Sequence, residues 1–304
     1  MTKIGFLYIS VFFVTMSLVN ALYPLDLVPQ LVVCFILIAL VGIPHGAIDH
    51  IIFLEGNEKP SIPRFVGIYL MVMTLYALLW YIEPTFSLFI FLVLSAYHFG
   101  QSQFADIGGK NKILDGTLYL MWGMTVLTAL IVYNHHEIIA LSANSDDMQP
   151  LMVLFSIRVQ KILFSLSLLS TVGLLIYYYS KERFDLQRFG SEVYMLGLIH
   201  LTFFVFPTLV GFTLYFVILH SLKVMSQEYD YLKTKRKQLT LFGFITMLLP
   251  LSLVSYAGMI GLIYITYIGI IPISYPLLGF ILISLITLPH AFVMDNFYDK
   301  VFRT

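Results

Sequence analysis

Residues 27–52 read LVPQLVVCFILIALVGIPHGAIDHII, an apolar run that ends in two histidines and an aspartate. A lipid bilayer is crossed by about 20 consecutive, mostly apolar residues in a helix, and this run exceeds that length. Both of its glycines, one of its two prolines, both histidines and its aspartate lie in its C-terminal half. Long apolar runs with a few embedded polar residues recur along the rest of the chain. This pattern predicts membrane-spanning helices with candidate functional residues inside the membrane.

The composition agrees with a protein whose solvent is largely the bilayer. The chain has 304 residues, of which 59% are hydrophobic and 11% are charged, whereas a soluble domain has roughly 25% charged residues. We predict an all-α fold, a polytopic integral membrane helical bundle of about 8–10 transmembrane helices, with residues 1–304 as one domain. The formal net charge is zero, so nothing indicates a nucleic-acid partner. The single cysteine, Cys34, excludes an intrachain disulfide.

Candidate spans were placed by length and apolar content. They lie at 4–22, 27–52, 63–82, 85–104, 116–133, 152–179, 191–206, 207–230, 239–271 and 275–297. We interpret 4–22 as the first span rather than a removed signal peptide, because further spans follow at once. The run 239–271 is longer than one crossing requires. Pro250, Gly258 and Gly261 could divide it into two crossings or bend a single helix, and both alternatives stay open here.

Lysine and arginine positions predict the orientation. If the N-terminus is cytoplasmic and 239–271 crosses once, nearly all lysines and arginines lie on the cytoplasmic side. Only Arg158 and Lys161 then fall outside, which is a strong positive-inside bias. We therefore predict a multi-pass protein of the cell (inner) membrane with a cytoplasmic N-terminus.

Six of the eight histidines lie within apolar segments, where ionisable side chains are functional candidates. In the charge-derived topology, four of them lie on four helices that run in the same direction, each past the midpoint. Imidazoles at similar depth can converge in the core of a bundle, as in other bundle-core metal sites. We predict that these four are metal ligands: His45, His98, His220 and His290. The other two, His50 and His200, are possible additional ligands.

Prolines and glycines next to these histidines support a site. Pro44 and Gly46 flank His45, and prolines and glycines of this kind open a helix locally or permit close approach. Asp49 lies four residues after His45 on the same helical face and could orient an imidazole N–H. Asp295, five residues after His290, is a second candidate for that role. An all-imidazole set suits zinc, copper, nickel or iron, and these residues alone leave the choice open.

Four short motifs resemble those of the Brp/Blh family of membrane β-carotene dioxygenases. The family's PHGxxD segment is matched at 44–49, its HFG segment at 98–100 and its YFxxxHS segment at 215–221. Its closing PH segment with a downstream aspartate is matched at 289–295. Each motif is short, but the four occur in the family's order and span nearly the whole chain.

The resemblance implies an enzyme that uses Fe(2+) and O2 to split the central double bond of β-carotene into two retinals. It implies histidines as iron ligands, no catalytic residue beyond the metal site, and a functional link to a rhodopsin that would use the retinal. A bilayer-dissolved polyene could reach such a site between helices. Aromatic residues that could line its path are Tyr97, Phe203, Phe204, Phe212 and Tyr215.

The chain departs from the family pattern in two places. Val224 stands where the third motif usually has a second histidine, and residues 101–103 lack the acidic residue that often follows HFG. His50 or His200 could replace the missing imidazole, or fewer histidines could hold the metal. The further alternatives are a relative with altered activity and a non-enzymatic membrane transporter or accessory protein with a histidine metal or proton site.

Overall fold

The structure, a computed structural model, describes residues 10, 16–17, 27–55, 61–107, 111–143 and 145–302. The predicted first span at 4–22 lies outside the described residues apart from isolated positions, and so does the predicted cytoplasmic N-terminus. Within the described ranges the regular elements are all helical. The predicted all-α fold class is therefore confirmed.

Twelve α-helices are described, and we number them in chain order. They are α1 (Leu27–Leu37), α2 (Asp49–Glu55), α3 (Ile62–Ile82), α4 (Pro84–Phe104), α5 (Lys112–Tyr133), α6 (His135–Ser142), α7 (Ile157–Ser180), α8 (Leu186–Val205), α9 (Thr208–Leu214), α10 (Leu222–Lys235), α11 (Leu241–Tyr267) and α12 (Tyr275–Phe302). Short 3-10 segments are Pro44–Gly46, Ala105–Ile107 and Asp146–Phe155, and two π-helical segments are Ile38–Gly42 and Tyr215–Ser221.

Eight helical stretches of the described chain are long and apolar enough to cross a membrane. They are Gln30–Glu55, Ile62–Ile82, Pro84–Ile107, Lys112–Tyr133, Asp146–Ser180, Thr208–Lys235, Leu241–Tyr267 and Tyr275–Phe302. The chain is therefore a polytopic helical membrane protein. Helix α8 has 20 residues but carries Arg188 and Glu192 near its start and is not among the eight, so the span at 191–206 stays a prediction.

The run 239–271 forms one helix in the structure. Helix α11 has 27 residues and continues through Pro250. At 1.5 Å per residue it is about 40 Å long, which corresponds to one crossing of a hydrocarbon core of about 30 Å. Of the two alternatives that the sequence left open, the structure has the single helix.

Side-chain caps define where several helices begin. Asn111 accepts a hydrogen bond from the backbone N–H of Leu114 at 3.1 Å, at the start of α5. Asp185 accepts one from Arg188 N–H at 2.6 Å, at the start of α8. Such caps satisfy backbone donors that have no partner within the helix. Helix α4 instead begins with Pro84. Proline lacks a backbone N–H, but at the first position of a helix that N–H would have no partner within the helix.

Helices α4 and α5 pack with their backbones in close approach, and two glycines permit it. A Cβ atom added to Gly100 would overlap the carbonyl oxygen of Tyr119, and one added to Gly123 would overlap that of Ala96. Small residues at helix crossings are typical of membrane bundles, where close packing replaces the hydrophobic effect between helices. This contact fixes α4, and with it the position of His98.

We predict that Gly100→Ala destabilises the fold, because the new methyl group meets rigid backbone and not a movable side chain. Overpacking of this kind costs about 1–3 kcal/mol or more. The measurement is the thermal unfolding midpoint of the detergent-purified protein. Gly67→Ala is the matched control, since its Cβ would meet nothing within 4 Å; equal midpoints for the two variants would contradict the close-packing interpretation.

Candidate metal centre

Four imidazole rings from four separate spans meet in the interior of the bundle. The rings of His45 and His290 have centroids 4.7 Å apart, and those of His98 and His220 are 5.0 Å apart. The cross pairs His98–His290 and His45–His220 lie at 5.1 and 5.4 Å. All four side chains are buried. These are the histidines that the sequence singled out for a common depth, and their assignment as metal ligands stays a prediction.

Two of the four histidines lie where the helix departs from α geometry. His45 lies in the 3-10 turn Pro44–Gly46, which directly follows the π-helical segment Ile38–Gly42. His220 lies inside the π-helical segment Tyr215–Ser221. Single π-helical turns occur frequently at functional sites, because they re-aim a side chain at the cost of regular hydrogen bonding. Here they turn both imidazoles towards the other two.

The Nδ1 atoms of two histidines are held by hydrogen-bond acceptors. Nδ1 of His45 donates to the backbone carbonyl of Gly42. Nδ1 of His290 donates to Oδ1 of Asp49 at 2.8 Å, and both side chains are nearly inaccessible. A proton on Nδ1 leaves the lone pair of a neutral imidazole on Nε2. Both rings therefore present Nε2 as the available ligand atom.

A serine does the same for His220. Ser102 Oγ donates its own proton to the carbonyl of Phe99 at 2.8 Å, and it lies 3.1 Å from Nδ1 of His220. Because the hydroxyl proton is engaged, Ser102 accepts from Nδ1–H. Partners of this kind fix the tautomer and orientation of metal-binding histidines. Sequence reasoning missed this role for Ser102, because the contact joins two different spans.

Four other ring nitrogens of the group are buried and form no hydrogen bond within the described part of the chain. Nε2 of His220, Nε2 of His290 and both ring nitrogens of His98 have no hydrogen-bond partner among the described residues. A buried polar atom without a partner costs about 1–3 kcal/mol, so such atoms call for an explanation. One ligand nitrogen each from His45, His98 and His220 lies within 4.8 Å of the other two. Imidazole nitrogens are ligands that transition metals prefer, so these three histidines are candidate metal ligands, and His290 is not one of the three.

Asp49 links the span Gln30–Glu55 to the span Tyr275–Phe302. Its Oδ1 accepts from His290, and its Oδ2 accepts from the hydroxyl of Tyr69 at 3.3 Å. Gly46 also faces this ring, since a Cβ there would lie 3.3 Å from Nδ1 of His290. The carboxylate therefore accepts a hydrogen bond from the ring of His290 and not from that of His45, and its role beside a metal ligand stays a prediction.

Asp295 lies near the group without contacting an imidazole in the described hydrogen bonds. Its Oδ1 accepts from Nε2 of Gln101 at 2.6 Å. Gln101 is buried and follows His98 by three residues. The acidic group that the sequence lacks after HFG is thus brought to this turn of α4 from α12.

The two possible additional ligands, His50 and His200, lie outside the four-histidine group. The ring of His50 lies against Phe65, with centroids 6.4 Å apart. His200 lies 3.1 Å from the hydroxyl of Tyr133 through Nδ1, and its ring packs on Phe164 at 5.4 Å. The structure brings neither of them into the four-histidine group. Val224 is fully buried in an apolar cluster with Ala47 and Met294, so the group has four imidazoles without a histidine at position 224.

Two phenylalanines form direct walls of the group. Phe216 stacks on His220 with centroids 5.6 Å apart and an interplanar angle of 19°, and it meets the edge of His45 at 5.4 Å. Phe99 packs against His220 at 4.7 Å. Sequence reasoning named neither of them, although both lie inside the HFG and YFxxxHS motifs. Their faces shield the imidazoles from lipid and water.

The five aromatic residues predicted to line a substrate path differ in their distance from the group. Phe212 stacks on Phe216 at 5.3 Å, and Tyr215 packs on Phe99 at 5.4 Å. Phe203 reaches the group only through Tyr215, at 5.9 Å. Tyr97 packs on Tyr119, and Phe204 is 72% exposed beside Tyr133. Their role in substrate binding stays a prediction, and Phe212 and Tyr215 are the two nearest to the imidazoles.

We predict that Asp49→Asn weakens metal binding roughly 10–100-fold, because the outer partner of a ligating histidine sets its orientation and basicity. The measurement is the metal dissociation constant of the purified protein, from titration with a competing chelator. Asp295→Asn is the matched control, since its carboxylate bonds to an amide, and it should bind metal like the wild type. Unchanged affinity in Asp49→Asn would show that His290 is not a ligand.

The chain is similar in sequence to known proteins. A sequence profile described as Beta-carotene 15,15'-dioxygenase matches residues 36–298, which include all four histidines. A protein of an uncultured marine bacterium, 66A03, named Beta-carotene 15,15'-dioxygenase, is 31% identical over 193 residues. That alignment covers 61% of this chain and 64% of the relative, so the chain spans less than two thirds of the relative's length. No solved structure matches. Since the profile covers most of the chain, the protein belongs to the beta-carotene 15,15'-dioxygenase family.

Proposed function

We propose that this protein is an iron-dependent dioxygenase that cleaves the central double bond of β-carotene into two molecules of retinal. The observation that carries the proposal is the buried group of four imidazoles in a chain of this family. The similar protein of the marine bacterium carries the same activity in its name. In the reaction, one O2 supplies one oxygen atom to each of the two aldehydes, so no separate reductant is required.

Four residues would hold the Fe(2+): His45, His98, His220 and His290. Neutral imidazoles suit iron, and the unpartnered ring nitrogens described above supply the lone pairs that it needs. When bound, ferrous iron supplies the capacity to bind and activate dioxygen. The surrounding residues act on the imidazoles: Gly42, Asp49 and Ser102 each accept a hydrogen bond from an Nδ1–H group and hold three of the rings in place.

The membrane location fits the proposed substrate. β-Carotene is an extended hydrocarbon that dissolves in the bilayer, so an enzyme built from membrane-spanning helices meets it without extraction into water. Burial of the imidazoles and the two phenylalanine walls keep water from the reacting centre. Placing the middle of the polyene at this centre would select the central bond through positioning alone.

The proposed orientation follows from charge. If both the N-terminal segment and α8 cross the bilayer, nearly all lysines and arginines face the cytoplasm, as positive-inside topology requires. The four histidines then lie in the cytoplasmic half of the cell (inner) membrane. Retinal would be released into the bilayer, where a rhodopsin partner could take it up.

We predict that expression in a bacterial strain that accumulates β-carotene produces retinal, and that His98→Ala abolishes this product and the bound iron. The reason is that His98 has no other partner for its ring nitrogens among the described residues. The measurements are retinal by chromatography and metal content by elemental analysis. His200→Ala is the matched control, because its ring lies against Tyr133 and Phe164 and should leave both readings unchanged.

Two outcomes would count against the proposal. Wild-type protein that reaches the membrane but leaves β-carotene intact would refute the activity. Iron-loaded, active His98→Ala would refute the site. Loss of activity in His200→Ala, with iron retained by His98→Ala, would transfer the centre to the histidine that the structure leaves outside the group.

A further inference from the structure

A cavity of about 310 Å³ lies beside the four-histidine group, between α2, α3 and α12. Its walls are mostly apolar and aromatic, and they include Phe65, Ile68, Tyr69, Val72, Pro289 and Phe292. Only four of its lining residues carry polar side-chain groups: Tyr69, Tyr231, Asn296 and Lys300. A cavity of this composition suits a hydrocarbon ligand rather than a polar one.

The cavity and the histidine group share a wall. Tyr69 lines the cavity and donates its hydroxyl to Asp49, which in turn accepts from Nδ1 of His290. Pro289, also in the wall, directly precedes His290 in α12. A ligand in the cavity would therefore end one residue layer away from an imidazole of the proposed metal centre.

The cavity also opens towards the lipid. Ile68 is 43% exposed and Phe292 is 51% exposed, and both belong to helices that qualify as membrane spans. In a membrane protein these exposed apolar side chains face hydrocarbon rather than water. A ligand dissolved in the bilayer could pass between α3 and α12 without crossing a polar surface.

We propose that this cavity receives one end of the carotenoid substrate and thereby sets which double bond lies at the histidine group. The inference rests on the proposed function. The volume is near the lower end of the range for small-molecule pockets, about 300–1,000 Å³, and a C40 polyene is far larger than the cavity. The cavity therefore holds only an end, from which the polyene runs past Tyr69 and Pro289 towards His290.

The test introduces bulk at the mouth of the cavity in Ile68→Trp. Because Ile68 is already partly exposed, the indole can fill the cavity without disturbing the core. Val66→Trp is the matched control: Val66 lies on the same helix, is also 43% exposed and does not line the cavity. In β-carotene-containing cells we expect Ile68→Trp to lose at least about tenfold in retinal formation, since misplaced substrates lose rate steeply, with iron content unchanged.

A second reading measures binding without turnover. In the His98→Ala background, which should not consume substrate, the β-carotene retained by purified protein is extracted and measured by absorbance. Ile68→Trp should lower this amount and Val66→Trp should not. Phe292→Ala, which removes one side of the cavity mouth at a half-exposed position, should also lower the retained β-carotene. If the Ile68→Trp protein does not accumulate in the membrane, the Phe292→Ala result tests the inference in its place.

The outcomes separate this inference from the proposed function. If the wild type makes retinal and Ile68→Trp makes as much as Val66→Trp, the cavity is not the substrate's site although the activity stands. Loss of iron in Ile68→Trp would show that the variant acts on the metal centre, and it would overturn the inference. Unchanged β-carotene retention with co-purified phospholipid would assign the cavity to a lipid chain instead.

Discussion

Four imidazoles buried close together require partners for their ring nitrogens, and the surrounding residues are arranged to meet this requirement. Each ring has one N–H and one lone pair, and in a protein interior within a bilayer no bulk water can satisfy either. The protein supplies acceptors for the N–H groups of three rings, from Gly42, Asp49 and Ser102. Four ring nitrogens of His98, His220 and His290 are buried without a partner among the described residues. If these nitrogens bind a metal ion as proposed, metal binding would be coupled to the stability of the fold.

The hydrogen bond between Asp49 and His290 shows how this constraint organises the chain. It joins residues 241 positions apart and ties the short helix α2 to the last helix, α12. Gly46 lets the ring approach, because a side chain there would press on His290. The π-helical and 3-10 turns before Asp49 give the chain the bend that places both His45 and Asp49 at the same centre. Irregular backbone inside a membrane is tolerated where protein surrounds it, and Gly42, Pro44 and His45 are buried here.

Much of the site could be read from the sequence, and the reason is directional. The positions of lysines and arginines predicted the direction in which each helix crosses the membrane. Histidines at a similar depth on helices that run in the same direction can meet when those helices are neighbours. What the sequence could not supply was the identity of each partner. Helical spacing placed Asp49 on the face of His45, yet the carbonyl of Gly42 already satisfies that ring, and the carboxylate bonds across to His290. Ser102 and Phe216 escaped notice because their roles depend on contacts between spans, which spacing along one helix does not encode.

Val224 illustrates how a departure from the family pattern can leave a site intact. A histidine at this position would follow His220 by one helical turn. The structure instead buries this valine in an apolar cluster that also contains Ala47 and Met294. Four rings from four spans already surround the centre from separate directions, whereas residue 224 would approach from the same helix as His220. A valine keeps this position apolar, so the structure places no fifth imidazole and no further buried polar side-chain atom there.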